Sequence, residues 1–132
     1  MNPQMQISFF CDGKCPLSIE VDVQGKKYET EVLIDTGFTT GTRYGLKLGS
    51  RVSLLASSIG YDLVRLADSR IVRCASIPDA KLVANNGNRL ENPITLPALF
   101  FDGPEVIGIQ FLQMCKLSVD GPNRNGTLEF IQ

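Results

Sequence analysis

The sequence predicts an all-β fold, mostly antiparallel, with one or two short helices. Stretches of alternating apolar and polar residues, turn signals rich in glycine and asparagine between them, and only weak helical spacing all favour this class. The chain has 132 residues, of which 43% are hydrophobic and 20% charged, both near globular averages. We therefore expect a single folded domain over residues 1–132.

The first predicted strands form a hairpin. Residues 17–23 alternate apolar and polar side chains, and residues 28–34 alternate at first and then become fully apolar. Gly25, between the two strands, favours a turn. Asp35 ends the apolar run and begins a segment rich in glycine and threonine.

A second hairpin is predicted in the middle of the chain. Its strands cover residues 62–66 and 70–73, and its short polar tip contains Ala67, Asp68 and Ser69. Residues 51–59, which precede it, show the first helical spacing, and that signal is weak.

The second half of the chain continues with strands and turns. An Asn-Asn-Gly-Asn turn at 85–88 separates a strand at 81–84 from one at 94–101. Pro93 and Pro97 predict that the latter strand is irregular or lies at a sheet edge. The remaining predicted elements are a short strand at 105–108, a short helix at 109–115, and strands at 116–120 and 127–131.

Composition excludes several classes of function. Thirteen basic and fourteen acidic residues give a net charge of −1, which argues against general binding of nucleic acids or anionic membranes. The chain contains no histidine, which removes Ser-His-Asp catalysis, Cys-His catalysis and histidine-ligated zinc. The N-terminal residues have no basic region and no long apolar stretch, so we expect no signal peptide and a cytoplasmic protein.

Four cysteines, at positions 11, 15, 74 and 115, are too few and too unevenly spaced for a disulfide framework. Cys74 and Cys115 lie in apolar stretches and are predicted to be small buried residues. Cys11 and Cys15 leave open free thiols, a local disulfide or half of a metal site. Free thiols are the favoured interpretation, so no metal or cofactor is predicted.

The strongest chemical signal is Val-Leu-Ile-Asp-Thr-Gly at residues 32–37. It places the Asp35 carboxylate directly after an apolar strand, where it is costly unless hydrogen bonds or a partner stabilise it. Thr36 supplies a hydroxyl that can bond to a neighbour, and Gly37 permits close approach of a backbone or a ligand. Taken alone, these three residues are also compatible with an ordinary β-turn after a strand.

In its context, this segment resembles the active-site signature of retropepsin-like aspartic proteases, especially the single-domain prokaryotic type, in which Phe-Thr often follows the glycine. The resemblance covers residues 17–132. Leu-Ala-Asp-Ser at 66–69 is similar to the tip of that family's flap, usually Leu-Ala-Asp-Gly. Residues 106–112 are similar to its second motif, two apolar residues and a glycine leading into a short helix, and residues 117–120 and 126–130 to its closing strands.

The resemblance implies a retropepsin-like acid protease barrel that acts as an aspartic endopeptidase. Because the chain has one such motif and no room for a second lobe, it implies a homodimer in which each subunit donates one Asp35. The two carboxylates would activate a water molecule for attack on a peptide bond. The resemblance implies no metal, cofactor or covalent intermediate.

The same resemblance assigns supporting roles. Thr36 would bond across the dimer axis, and Gly37 would let the substrate approach the carboxylates. The hairpin whose tip contains Ala67, Asp68 and Ser69 would be the flap, closing over an extended peptide or protein substrate. An ordinary surface hairpin is the alternative for that segment.

Two departures from the family pattern keep a second function open. Ser69 stands where the family usually has glycine, and residues 109–110 are Ile-Gln where it often has Met or Arg followed by Asp. These departures favour a non-proteolytic dimerisation or protein-binding module, whereas the intact motif at 35–37 favours the enzyme. For both functions, two arrangements of the strands at 6–10 and 127–131 stay open. The strands pair across subunits, or they pair only within one chain.

Overall fold

Strands make up most of the structure, which confirms the all-β prediction. The computed structural model describes residues 4–10, 16–35, 44–66, 68–85, 87–112 and 115–131. Within these ranges the strands are β1 (Gln4–Phe10), β2 (Pro16–Val23), β3 (Lys26–Ile34), β4 (Leu46–Leu48), β5 (Gly60–Arg65), β6 (Ile71–Asn85), β7 (Asn88–Phe100), β8 (Val106–Ile107), β9 (Lys116–Asp120) and β10 (Asn125–Ile131). A 3₁₀ helix covers Ser50–Leu55, and one helical turn, α1, covers Ile109–Leu112.

Seven strands form a sheet that closes on itself. Their order is β2-β3-β8-β4-β7-β6-β5, and β2 also pairs with β6. The six strands from β2 to β6 in this order therefore form a ring, while β5 extends from the other part of β6. Closure pairs strands that would otherwise expose unsatisfied backbone groups at an edge. The pairings are antiparallel except those of β3 with β8 and β4 with β7.

The interior of this barrel is the hydrophobic core. β2 shows the predicted alternation, because every second side chain points inward. Its fully or nearly fully buried residues are Leu17, Ile19, Val21 and Val23. Side chains from β4, β6 and β7 complete the same cluster, so the ring is filled by packed apolar groups.

Both helices are short, as predicted. The 3₁₀ helix buries only Val52, which explains why the apolar periodicity of this stretch is weak. α1 follows β8 and directs the fully buried Phe111 into the core. None of the helices in the described ranges is long and apolar enough to cross a membrane.

The predicted turn between β2 and β3 is a two-residue hairpin turn. Gln24 and Gly25 both have positive φ, 51° and 98°, a backbone that matches the twist of the flanking strands. The Gly25 N–H donates a 2.6 Å hydrogen bond to the Asp22 carboxylate, which stabilises the turn. The resulting register pairs Leu17 with Val32 and joins the two apolar runs.

β6 and β7 are longer than predicted. β6 has 15 residues because residues 71–73 and 81–84, which were predicted as parts of separate strands, belong to one continuous strand. β7 has 13 residues and begins at Asn88, before the predicted position 94. The register between β6 and β7 shifts twice, which agrees with the irregularity that the prolines predict. β7 is an interior strand from Ala98 onward, where β4 pairs with its other side.

The two ends of the chain form a separate three-stranded sheet in the order β1-β10-β9. β1 pairs with β10 along its whole length, from Gln4↔Ile131 to Phe10↔Asn125, and β9 pairs with the other side of β10. The predicted strands at 6–10 and 127–131 therefore pair with each other within one chain. Because β10 has a neighbour on both sides, β1 and β9 are the edge strands of this sheet.

The described cysteines, Cys74 and Cys115, are free thiols. Cys74 is buried as predicted, whereas Cys115 is only partly buried. Burial raises the pKa of Cys74, and the charge of Asp62 adds to this effect. Burial raises the pKa of Cys115 to about 11. Cys11 and Cys15 lie outside the described residues, so their state stays a prediction.

Replacing Gly126 with alanine should destabilise the terminal sheet. A Cβ at this position would lie 2.7 Å from the Phe9 ring and 3.0 Å from the Ser118 carbonyl oxygen. Phe9 is only 7% exposed, so its ring cannot move away without disturbing the core. We expect the free energy of unfolding to fall by about 1–3 kcal/mol, as measured by urea denaturation.

Gly121→Ala is the matched control, in the turn between β9 and β10 of the same sheet. A Cβ at Gly121 meets no atom within 4 Å, so this variant should change the free energy of unfolding by less than about 0.5 kcal/mol. Equal effects of the two variants would contradict the packing of Phe9 on Gly126.

Cys115 should react slowly with alkylating reagents in the native protein. The thiolate is the reactive form, and a pKa of about 11 against an ordinary 9.0 lowers its fraction near neutral pH about 100-fold. Mass spectrometry of iodoacetamide-labelled peptides, with and without urea, measures the labelling rate. Native labelling as fast as in the unfolded chain would refute this expectation.

The same thiol makes the free energy of unfolding depend on pH. Because the Cys115 thiol ionises at a lower pH in the unfolded chain than in the folded chain, the free energy of unfolding falls as pH rises from 9.0 through about 11.

Candidate active site

Asp35 directly follows β3. Its backbone N–H donates a 3.0 Å hydrogen bond to the carbonyl oxygen of Ile107 in β8. This bond continues the parallel ladder, in which Leu33 pairs with Val106 and Ile34 with Ile107. The Asp35 side chain is exposed, so in the single chain the apolar run ends with a carboxylate at the surface rather than in the core.

The second motif lies beside Asp35. Both residues of β8 are buried, and Gly108 follows them. The Gly108 N–H donates a 2.9 Å hydrogen bond to the Gly45 carbonyl oxygen. The Gly108 carbonyl oxygen accepts from the N–H groups of Phe111 and Leu112, which starts α1. Two motifs that lie far apart in the sequence therefore meet at one place in the sheet.

β4 holds the other side of β8 and was not predicted, because three residues are too short to show a period. The Nζ of Lys47, its central residue, donates a 2.6 Å hydrogen bond to the Pro104 carbonyl oxygen. Burial lowers the pKa of Lys47, while the charges of Glu105, Asp102 and Asp35 act in the opposite direction. The Asp35 carboxylate therefore lies within electrostatic reach of this cation.

The predicted second hairpin is formed by β5 and β6. The two strands pair antiparallel from Arg65↔Ile71 to Gly60↔Ser76. From Ile71 to Cys74, β6 pairs with β5 alone among the described strands. This end of the hairpin is therefore a two-stranded ribbon.

Hydrogen bonds within the hairpin tip hold it in shape. The Leu66 N–H donates to the Arg70 carbonyl oxygen at 2.8 Å, and the Ser69 N–H donates to the Leu66 carbonyl oxygen at 3.0 Å. The Asp68 carboxylate accepts from the backbone N–H and the Nε of Arg70, at 3.1 and 2.6 Å. Ser69 has a φ of 71°, in the left-handed region that favours glycine. The tip therefore has a glycine-type backbone although the residue is serine.

One face of the hairpin packs on a small apolar cluster separate from the barrel core. Its buried members are Tyr44, Val64, Cys74 and Leu99. The Tyr44 hydroxyl donates a 2.6 Å hydrogen bond to the Asp62 carboxylate in β5. This bond joins the beginning of the described segment 44–66 to the base of the hairpin.

The opposite face of the hairpin is exposed. Leu63 is 70% and Ile71 58% exposed, and the Arg73 guanidinium lies 4.2 Å above the Tyr61 ring. Arg70 and Arg73 are both exposed side chains. Both arginines therefore lie on a solvent-exposed face, which is the usual position of such residues.

Three predicted residues lie outside the described ranges: Thr36, Gly37 and Ala67. Their roles stay predictions. Asp68 and Ser69 share the hairpin tip, while Asp35 lies at the β3–β8 pair.

Glu105, whose side chain joins several strands, was not predicted as a site residue. Its carboxylate accepts hydrogen bonds from the Tyr28 hydroxyl at 2.8 and 2.9 Å, from the Thr30 hydroxyl, and from the Gly49 N–H at 2.8 Å. Burial and then the hydrogen bond to Glu105 raise the pKa of Tyr28. No motif marks Glu105; the only sequence signal is a carboxylate directly before a short apolar strand.

The fold has a counterpart among solved structures. The crystal structure of a retropepsin-like aspartic protease from Rickettsia conorii matches with a TM-score of 0.64, covering 99% of this chain and 95% of that chain. The sequences are 14% identical, so the likeness concerns the fold. The chain therefore has the retropepsin-like fold that its motifs predict. No family model and no curated protein matches the sequence significantly.

Substitutions at Ser69 test the backbone of the hairpin tip. Ser69→Gly should leave the free energy of unfolding within about 0.5 kcal/mol, because relief of the left-handed backbone is offset by glycine's freedom in the unfolded chain. Ser69→Val should be less stable than the glycine variant by about 1 kcal/mol or more, because a β-branched residue is disfavoured at this φ. Thermal denaturation measures both, and equal stability of the two variants would contradict the positive φ.

Proposed function

We propose that this chain is an aspartic endopeptidase, built as one retropepsin-like domain over residues 1–132. The observation that carries the proposal is the position of Asp35. It follows β3, bonds to Ile107 and lies beside Gly108, within a retropepsin-like barrel. The fold likeness to a retropepsin-like aspartic protease is consistent with a protease role.

The active unit is a homodimer whose two-fold axis passes between two Asp35 residues. Retropepsin-like chemistry needs a pair of carboxylates, and one chain supplies one such motif. The exposure of Asp35 supports this arrangement, because the residue lies at the surface of the single chain, where a second subunit can approach it. Thr36 bonds across the axis and keeps the two motifs rigid, and Gly37 gives the substrate room beside the carboxylates.

The two carboxylates divide the chemistry between them. Like charges this close do not readily ionise together, so the pair holds one proton and titrates as a unit. The ionised carboxylate takes a proton from water while the water oxygen bonds to the peptide carbonyl carbon. The protonated carboxylate stabilises the developing charge on the carbonyl oxygen. The C–N bond then breaks as the leaving amine gains a proton, with no covalent intermediate or metal.

The β5–β6 hairpin acts as the flap. It covers a substrate that binds as an extended strand, with Ala67, Asp68 and Ser69 at its tip. The left-handed backbone of Ser69 supports this role, since it is a conformation that favours glycine, the residue usual at this position of the family. The bond between Tyr44 and Asp62 supports a coupling of the flap base to the catalytic segment.

The second candidate is a non-proteolytic dimerisation or protein-binding module with the same fold. It is favoured by residues 109–110, Ile-Gln where the family often has Met or Arg followed by Asp. The two candidates differ in whether the function requires the Asp35 carboxylate.

Asp35→Asn should abolish peptide cleavage. We expect turnover of a peptide library to fall by about 10²–10⁴-fold, because the variant dimer loses both acid–base groups. Cleavage is measured from acidic to neutral pH at several protein concentrations. The wild-type rate should show a bell-shaped pH profile, and its specific activity should rise with concentration as dimers form.

Asp79→Asn is the matched control, since Asp79 is an exposed carboxylate on β6 outside the site. It should cleave like the wild-type protein. Equal cleavage by wild-type and Asp35→Asn protein would refute the proposed enzyme. A folded wild-type dimer that cleaves nothing, and binds a partner equally well with Asp35→Asn, would favour the binding module.

A further inference from the structure

We propose that Glu105 is a positioning residue that fixes the register of β8 and thereby the place of Asp35. This inference rests on the proposed function, since its catalytic consequence presupposes that Asp35 reacts. Glu105 itself lies outside the predicted motifs and acts through the sheet.

β8 needs an anchor because it is very short. It has two residues, yet it lies between β3 and β4 in the interior of the sheet. The preceding segment cannot supply regular pairing, since Gly103 has a φ of 108° and Pro104 lacks a backbone N–H. A slip of one residue would turn the side chains of β8 to the opposite faces and would change the carbonyl oxygen opposite Asp35.

The Glu105 side chain provides that anchor by binding both neighbours of β8. Tyr28 and Thr30 project from the same face of β3, two residues apart, and both donate to its carboxylate. The N–H of Gly49, directly after β4, donates to the other carboxylate oxygen at 2.8 Å. Hydrogen bonds to a charged acceptor belong to the strong class.

The backbone connects this anchor to Asp35. The Leu33 N–H donates to the Glu105 carbonyl oxygen at 2.9 Å, and two residues later the Asp35 N–H donates to Ile107 at 3.0 Å. Fixing Glu105 therefore fixes the carbonyl groups that hold both ends of this short ladder. Lys47 adds a second hold on the same segment through its bond to the Pro104 carbonyl oxygen.

Glu105→Gln tests the proposal with little change of shape. A glutamine amide has one acceptor oxygen and an NH₂ group that donates, so it cannot accept from all three donors. We expect the amides of Leu33 and Asp35 to exchange with solvent about tenfold faster, as measured by NMR on labelled protein. For peptide cleavage, we expect kcat to fall about 10–100-fold while KM changes less than threefold, because the reacting group is displaced.

Three further variants separate positioning from general destabilisation. Glu91→Gln, at an exposed residue of β7, should leave exchange and kcat unchanged. Leu90→Ala removes a side chain that is only 6% exposed; it should lower overall stability without selectively speeding exchange at Leu33 and Asp35. Thr30→Val removes one of the three donors to the Glu105 carboxylate. It should speed exchange at Leu33 and Asp35 and lower kcat, each by less than Glu105→Gln does. This variant keeps the test available if Glu105→Gln does not fold.

The outcomes distinguish this inference from the proposed function. Wild-type-like exchange at Leu33 and Asp35 in Glu105→Gln would overturn it, and so would faster exchange with an unchanged kcat in an active enzyme. If the wild-type protein cleaves no peptide, the proposed function fails. Faster exchange at Asp35 in Glu105→Gln would then still support the anchoring of β8.

Discussion

Two residues of β8 pair with the last two residues of β3, and the Asp35 N–H donates a hydrogen bond to the same short strand. The other parts of the barrel support this contact. β4 holds the far side of β8, and β4 in turn is held by β7. Because β2 also pairs with β6, the chain of neighbours closes into a ring, and a displacement of β8 would disturb several strands at once. Asp35, which directly follows β3, is thereby held in place by the pairing of the sheet.

The sequence was most informative where a pattern extends over many residues. The alternation in β2, the turn before β3 and the hairpin of β5 and β6 were all predicted, because each reflects local chemistry. The fold itself followed from motifs at 32–37, 66–69 and 106–112, and the structure confirms it. Of the proposed site, the resemblance singled out Asp35 and the motif at 106–112, whereas the pairing that brings Asp35 beside Gly108 was seen only in the structure.

The features that sequence reasoning missed depend on contacts between distant segments. β4 has three residues, and its strand character comes from its neighbours β7 and β8 rather than from a period of its own. The continuity of β6 was hidden because one strand pairs with β5 at its beginning and with β2 at its end. Glu105 was missed for the same reason, since its partners Tyr28 and Gly49 lie on other strands.

The ribbon between Ile71 and Cys74 has a mechanical consequence. In that stretch β5 is the only described neighbour of β6, so bending it breaks no pairing of the ring. Two-stranded ribbons are the least constrained form of sheet, and they twist more than interior strands. The hairpin behaves as a cantilever clamped at its base, where Tyr44 and Asp62 are joined. The packing of Val64 and Cys74 on Leu99 of β7 holds the same end of the ribbon on the barrel, so bending is confined to the tip beyond Val64.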